Sequence, residues 1–379
     1  MRFLVLSCLF IIFMSTFSSP VSAAFNALPG RRVVALKLDD GRVFISWRYK
    51  ESDGPIAKYE VKRSDNKTGP FTMAGIFKQN DGTNFIDSTT TAGKTYYYFV
   101  TTPTGISRTL KVKPSETGAP CLVVPTRAGS PFQKLAVGDL NGDGLFEFII
   151  CRPEGKKASG SSENPDSRNS GKASSREKIP FNVEVYTLDG EMLWCSHLET
   201  EIVGEGRDVP ILVWDLDGDG KDEVIVRDEG DGTDGCERLV VLDPANGKPL
   251  SRAARPDQFP EALHSKSVAR QTQDALSLFW DGSDQRELAA KGQIICRDSR
   301  KVLGTYQGEP VCIADVLGDW REELITRDGS LIRIYTTTIP TNTRRPSLMD
   351  DSQYRLSIAR TVAGSCIGPT ERPAWRDRK

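Results

Sequence analysis

The chain has 379 residues, enough for two or three domains, and 50 Lys and Arg offset 51 Asp and Glu to a net charge of -1. That balance excludes a basic nucleic-acid footprint, while 38% hydrophobic and 8% aromatic residues exclude wholesale disorder. Two histidines, His197 and His264, exclude a multi-histidine metal centre, and 33 Gly with 22 Pro suit a turn-rich β protein.

Arg2, the apolar run Phe3 to Phe17 and the small residues ending Val21-Ser22-Ala23 form a secretory signal pattern. Residues 1–23 are therefore expected to be removed on export, leaving a secreted protein. The run is about 15 residues, short of the ~20 that a spanning helix needs, and no later stretch approaches that length. No membrane span is expected in the mature protein. The cysteines after Ala23 include no C-x-x-C pair, which argues against zinc and thiol redox chemistry. Cys296 and Cys312 lie in apolar runs and read as buried thiols.

Residues 28–114 read as short strands separated by turn clusters. Val33-Val34-Ala35-Leu36 is followed by Asp40-Gly41, a hairpin signal, and then by Val43 to Trp47. Ile56 to Arg63 and Thr95 to Thr101 supply further strands, and the spacing suits a β-sandwich. With Trp47, Tyr59 and Tyr96-Tyr97-Tyr98, the segment resembles a fibronectin type III domain, a module that spaces or orients a neighbour.

A repeat follows, over residues 120–365. Leu135 to Gly144 precedes the strand-like Phe146 to Ile150, and Ile211 to Gly220 precedes Glu223 to Val226. A shorter copy begins Leu278-Phe279-Trp280-Asp281, and a fourth begins Cys312-Ile313-Ala314-Asp315. The leading aspartates stand 76, 66 and 34 residues apart. Discounting the polar insertion 152–180 and the linker 252–274, the first two intervals approach the ~40–45 residues of a four-stranded propeller blade. The expected fold is all-β: a fibronectin III-like sandwich, then a β-propeller with about four recognisable blades. These form either a ring or a partial propeller closed by other means. A short helix is expected near Glu261 to Ala269.

Asp139, Asn141, Asp143 and Glu147, with the carbonyl of Leu145, place oxygens at alternate positions of a tight loop. Asp215, Asp217, Asp219 and Glu223, with the carbonyl of Lys221, repeat the pattern. Hard oxygens so spaced can wrap Ca2+. An EF-hand would need an acid at position twelve, where Ile150 and Val226 stand. Asp315, Asp319 and Glu323 keep part of the pattern as a weaker candidate, which Leu317 and Trp320 interrupt. At Asp281 the loop is too short, and an empty turn is expected.

Val213-Trp214-Asp215-Leu216-Asp217-Gly218-Asp219-Gly220-Lys221, Phe279-Trp280-Asp281-Gly282, Ala314 to Glu323, Arg333 to Asn342 and Gln353 to Ala359 together resemble the rhamnogalacturonan lyases of polysaccharide lyase family eleven. The resemblance covers most of 28–360. It implies an eight-bladed, calcium-bearing propeller that cleaves the rhamnose–galacturonate backbone of pectin by β-elimination. It also implies that middle blades are missing between about 250 and 276, and that Arg207-Asp208-Val209 stands where the family has a histidine-bearing cleft segment. Arg207, Lys291, Arg297 and Arg333 are the candidate cations for a polysaccharide; no catalytic residue is singled out. His197 and His264 read as packing and solvated positions, and Trp280, Trp320 and Tyr335 as blade core. The alternative to a pectin lyase is a non-catalytic, calcium-braced propeller that binds polysaccharide or a cell-surface partner.

Overall fold

The computed structural model describes residues 31–107, 110–112, 120–129, 131–154, 178–201, 211–228, 238–254 and 276–363. The export segment 1–23, most of 152–180 and 252–274, the helix expected at 261–269, Arg207 and His264 lie outside the described residues.

The first eight strands are β1 (Val33–Lys37), β2 (Val43–Trp47), β3 (Tyr59–Ser64), β4 (Thr72–Phe77), β5 (Asn84–Asp87), β6 (Tyr97–Thr102), β7 (Gly105–Ile106) and β8 (Leu110–Lys111). They form two antiparallel sheets, β1-β2-β5 and β4-β3-β6-β7, with β8 also on β6. The β1–β2 hairpin turns where Gly41 takes φ +86°, a left-handed conformation that a side chain disfavours. β-branched and aromatic residues alternate inward, and Trp47, Tyr59, Val61, Tyr98 and Val100 fill the core between the sheets.

Four four-stranded antiparallel sheets follow. Sheet I is β10 (Lys134–Gly138), β11 (Glu147–Pro153), β12 (Lys178–Tyr186) and β13 (Met192–Glu201). Sheet II is β14 (Ile211–Trp214), β15 (Glu223–Asp228), β16 (Arg238–Leu242) and β17 (Pro249–Ala254). Sheet III is β18 (Leu276–Leu278), β19 (Glu287–Ala290), β20 (Gln293–Ile295) and β21 (Val302–Thr305). Sheet IV is β22 (Glu309–Ala314), β23 (Glu323–Asp328) and β24 (Leu331–Tyr335), completed by β9 (Cys121–Pro125) from before sheet I.

A four-stranded sheet exposes two apolar faces and is stable only when neighbours cover them. Ile149, Phe181, Val183 and Trp194 of sheet I pack on Ile211, Val213, Val224 and Leu242 of sheet II. Leu278, Trp280 and Ile294 of sheet III pack on Ile313, Leu324 and Tyr335 of sheet IV. A third core joins sheet IV to sheet I through Leu122, Ile325, Ile334, Leu135 and Phe148, and takes in Val34 and Leu36 of the sandwich. The sheets therefore neighbour one another in the order III-IV-I-II.

The architecture is mostly β, as expected, and among the described residues one α-helix joins it: α1 (Ser352–Ala363), packed against β14, β10 and β22, the first strands of three sheets. Asp351 caps it by accepting from the Gln353 and Tyr354 N–H groups at 2.9 and 3.2 Å. Tyr354 and Ile358, one turn apart, are buried. Among the described residues no helix is long and apolar enough to cross a membrane.

Candidate functional site

The Asp loops join the first and second strands of their sheets. In the loop of sheet I, Asp139 Oδ1 accepts from Gly142 N at 2.8 Å and Oδ2 from Gly144 N at 2.7 Å. In that of sheet II, Asp215 accepts from Gly218 N at 2.8 Å and Gly220 N at 3.0 Å. Sheet IV repeats this with Asp315, Gly318 N at 2.7 Å and Trp320 N at 3.2 Å. The backbone must turn left-handed twice, with φ +74° and +76° at Gly142 and Gly144 and +81° and +68° at Gly318 and Trp320. Trp320 thus holds a glycine conformation at a cost of about 1–3 kcal/mol. Burial of its indole offsets this, with Phe279 tilted against it at 6.4 Å. The tryptophan expected to interrupt the third loop leaves the bend intact.

A glutamate opens the second strand of each of sheets I–IV: Glu147, Glu223, Glu287 and Glu323, each buried. Each accepts a backbone N–H from the facing loop or strand end, from Leu140 at 2.9 Å, Leu216 at 2.8 Å, Trp280 at 3.0 Å and Leu317 at 3.0 Å. Burial pushes Glu147 and Glu287 up to about 7, and Glu223 and Glu323 upward, with neighbouring aspartates adding repulsion. Such clustered, desolvated carboxylates favour either a proton or a cation.

The loops differ in how that demand is met. In the second, carboxylate oxygens of Asp215, Asp217 and Glu223 all lie within 4.8 Å of one another. A cation at about 2.3–2.6 Å from each oxygen can bridge that separation. Asp215, Asp217, Asp219 and Lys221 are half-buried or exposed, so the loop is open to an ion from solvent. This donor set, all hard oxygen, fits calcium.

In the first loop Asn141 Nδ2 donates to Glu147 at 3.2 Å, and the Arg32 guanidinium, from the sandwich, faces Asp143 and Glu147 across a cavity. Leu145 N donates to Asp143 Oδ1 at 2.8 Å. An arginine supplies part of the positive charge here.

The third loop does not fit an ion. Asp315 accepts from Ser347 Oγ at 2.8 Å and Leu348 N at 2.7 Å; Asp319 accepts from Ser46 Oγ at 2.5 Å and pairs with Arg321 at 2.7 Å. Glu323 accepts from Thr336 Oγ1 at 3.1 Å. Protein donors surround all three carboxylates, and the sandwich docks on them through Ser46. The Asp281 turn is two residues shorter, and Asp281 accepts from Ser283 N at 2.9 Å.

Sequence reasoning missed the residue before the repeated glutamate. Asp222 N donates to Asp139 O at 2.8 Å while Asp139 N donates to Asp222 Oδ2 at 2.8 Å, tying sheet II to sheet I. Arg355 of α1 pairs with the other Asp222 oxygen. Glu322 N and Phe279 O bond at 2.9 Å and Phe279 N and Glu322 Oε2 at 2.8 Å, tying sheet IV to sheet III. The repeated Asp-Glu and Glu-Glu at 222–223 and 322–323 was the available signal. Gly138 is required beside the first tie, since a Cβ there would stand 2.3 Å from Val213 Cγ1.

Of the candidate polysaccharide cations, Lys291 is exposed in the turn before β20, and Arg297 is exposed just beyond it with Nε on Arg286 O at 3.1 Å. Arg333 is buried on β24 and paired with Asp328 at 2.9 Å. His197 lies on β13, half-exposed, 3.2 Å from Glu154 and 3.4 Å from Asn182. Trp280, Trp320 and Tyr335 are buried in the sheet cores. Cys312 is fully buried, whereas Cys296 is half-buried rather than enclosed.

A family profile described as rhamnogalacturonan lyase family 11, C-terminal domain, matches residues 127–247 and 261–370, more than half of the chain. The chain is 28% identical over 255 residues to the rhamnogalacturonan endolyase YesW of Bacillus subtilis, covering 63% of this chain and 38% of that protein. It is also 28% identical over 222 residues to the exolyase YesX of the same organism, covering 55% and 33%. The matched stretch thus spans about a third of these relatives' length, 38% of one and 33% of the other. The solved rhamnogalacturonan lyase PL11 of Bacillus licheniformis superposes with a TM-score of 0.60 at 18% identity, over 91% of this chain and 96% of that one. The YesW structure superposes at 0.57 and 19% identity, over 91% and 96%. These superpositions speak for the fold.

Proposed function

Because the chain belongs to rhamnogalacturonan lyase family 11, we propose that it is a secreted, calcium-braced partial propeller that acts on the rhamnogalacturonan backbone of pectin. The profile match over both halves of residues 120–365 carries this reading. The sheet order III-IV-I-II supports the partial propeller: β9 completes sheet IV, α1 lies along the first strands, and among the described residues no hydrophobic core joins sheets II and III. The sandwich, residues 28–114, is proposed to orient that propeller through Ser46, which donates to Asp319, and Arg48, which donates to Gly144 O, while Arg344 from beyond sheet IV donates to Ala57 O and Asp81 O of the sandwich; residues 1–23 are proposed to direct export.

The reaction proposed is β-elimination on a galacturonate unit. A base removes the C5 proton, the electron pair forms the C4–C5 double bond, and the C4–oxygen bond breaks with the proton returning to the leaving oxygen. A calcium ion on the uronate carboxylate would supply charge stabilisation to the carbanion. Asp215, Asp217, Asp219 and Glu223, with the Lys221 carbonyl, are the proposed ligands of a bracing ion; Asp139, Asn141, Asp143, Glu147 and the Leu145 carbonyl are proposed as a weaker set. The exposed Lys291 and Arg297 are proposed to meet the polymer's carboxylates.

The second reading is a polysaccharide-binding protein without lyase activity. It is favoured by the matched length, about a third of the relatives', and by His197 being held by Glu154 and Asn182 at the surface. Incubation with rhamnogalacturonan and calcium separates the two. A rising ultraviolet absorbance from unsaturated uronate supports the lyase. A flat trace with retention on immobilised pectin supports the binder, and a flat trace without retention refutes both.

A further inference from the structure

The first and second Asp loops repeat one pattern but meet different surroundings. In the second, carboxylate oxygens of Asp215, Asp217 and Glu223 converge within 4.8 Å of one another. The first has Asn141 where the second has Asp217, and among the described residues its carboxylates do not converge in this way. A protein cation stands there instead. Arg32 lines the cavity between the sandwich and sheet I together with Asp143 and Glu147, and both carboxylates attract its guanidinium.

The strand pairing of the sandwich places that charge. Val33 faces Trp47 at the open end of the β1–β2 hairpin, and one step further Arg48 N donates to Arg32 O at 3.1 Å. Two arginines therefore leave the hairpin side by side toward the first loop. Arg48 is committed: its Nη1 donates to Gly144 O at 2.6 Å, and its Nη2 pairs with Asp350. Arg32 is only 7% exposed, yet its Nη1 has no hydrogen-bond partner among the described residues. The neighbouring Arg31 is taken by Asp53, and Asp189 adds attraction from the exposed rim. Such a guanidinium is held by the field of Asp143 and Glu147 rather than by a full set of hydrogen bonds. A divalent ion among the same carboxylates would cancel that field and add like-charge repulsion at close range. Calcium in the first loop and Arg32 in its seat thus compete for one set of anions.

We propose that Arg32 is a tethered counter-ion of the first loop that opposes calcium there, so that calcium entering this loop unseats the start of β1. The proposal rests on the calcium reading of the loops given above and adds a coupling between metal occupancy and the seating of the sandwich. Linkage makes the coupling reciprocal: whatever affinity Arg32 costs calcium, calcium costs the seat of Arg32.

The test is calorimetric calcium titration of the full chain in an Asp215→Ala/Asp217→Ala background, where the second loop is silenced. With Arg32 in place, little uptake is expected at micromolar calcium. Arg32→Met, which removes the charge and keeps an apolar stem, should tighten binding by at least about tenfold, whereas Arg32→Lys, which keeps the charge, should not. Amide exchange of residues 31–37 in the same background, with Arg32 unchanged, reads the other side of the linkage and needs no substitution in the sandwich. There, millimolar calcium should speed exchange several-fold. Binding in Arg32→Met no tighter than in its parent, equal tightening in Arg32→Lys, or exchange that calcium slows or leaves unchanged overturns the proposal. The otherwise unmodified chain, titrated in parallel, keeps the two readings apart. A principal site there with no gain in Arg32→Met leaves the calcium reading standing and removes only the coupling; no uptake in either chain removes both.

Discussion

Replacing Glu322 by alanine tests how the sheets are joined. Its carboxylate is fully buried and serves three partners at once: Phe279 N at 2.8 Å, Tyr354 OH at 2.8 Å, and Arg286 through two contacts of 2.7 and 3.0 Å. Truncation orphans a buried N–H and a buried hydroxyl, each worth about 1–3 kcal/mol. It also leaves Arg286 without its anion, and breaking a buried pair costs about 3–5 kcal/mol. These losses share one network and do not add. The Arg286 side chain is 19% exposed and partly reaches water, which places the net near the lower end, about 3 kcal/mol. At roughly 2–4 °C per kcal/mol, the thermal midpoint should fall by about 6–12 °C. Glu309→Ala is the control. Its carboxylate is 67% exposed and pairs with Arg327 at the surface, so it should cost under about 0.5 kcal/mol. Differential scanning fluorimetry of both variants decides. An E322A midpoint within about 2 °C of wild type, or an equal loss in E309A, refutes the inter-sheet tie.

Three further outcomes follow from the same geometry. Burial, reinforced by Asp281, holds the Glu287 carboxyl near 7 against an ordinary 4.5. The folded chain therefore keeps a proton that the unfolded chain loses, and this stabilisation, full below about 4.5, is lost as pH rises towards 7. In chelator the thermal midpoint should fall between pH 5 and 8, and Glu287→Gln should flatten that slope; an unchanged slope contradicts it. Arg344 stacks on Tyr59 at 4.9 Å and donates to Asp81 O and Ala57 O at 3.1 and 3.0 Å, so Arg344→Ala should speed amide exchange in residues 78–84 several-fold without melting the sheets. Hydrogen bonding from Ser299 lowers the Cys296 thiol, while burial raises Cys151 and Cys312 to about 12. Peptide mapping after brief alkylation of folded protein should find Cys296 modified and the other two protected.

The Asp loops and their strands were legible because the bends are local: alternating oxygens and two glycines are required within a few residues. The long-range closures were not. Nothing in Cys121-Leu122-Val123-Val124 marks it as the last strand of sheet IV, because its partner, Leu331 to Tyr335, lies some two hundred residues on. The helix at Ser352–Ala363 was readable from the Asp351 cap and the Tyr354–Ile358 spacing but was obscured by the strand repeat around it. The third loop shows the limit of motif reading. Asp315, Asp319 and Glu323 keep the spacing, yet Ser46 and Ser347, 273 and 32 residues from their partners, take up the oxygens. The Arg32 that answers the first loop comes from the sandwich and is equally invisible to spacing.

Calcium titration by calorimetry, on wild type and on the Asp215→Ala/Asp217→Ala variant, bears most directly on the metal-braced scaffold. The account predicts a principal calcium site in the wild-type chain that is lost in the variant, while the equivalent change at Asp315 and Asp319 removes no bound ion. Binding that survives the loss of Asp215 and Asp217, or a wild-type chain that takes up no calcium, would contradict it.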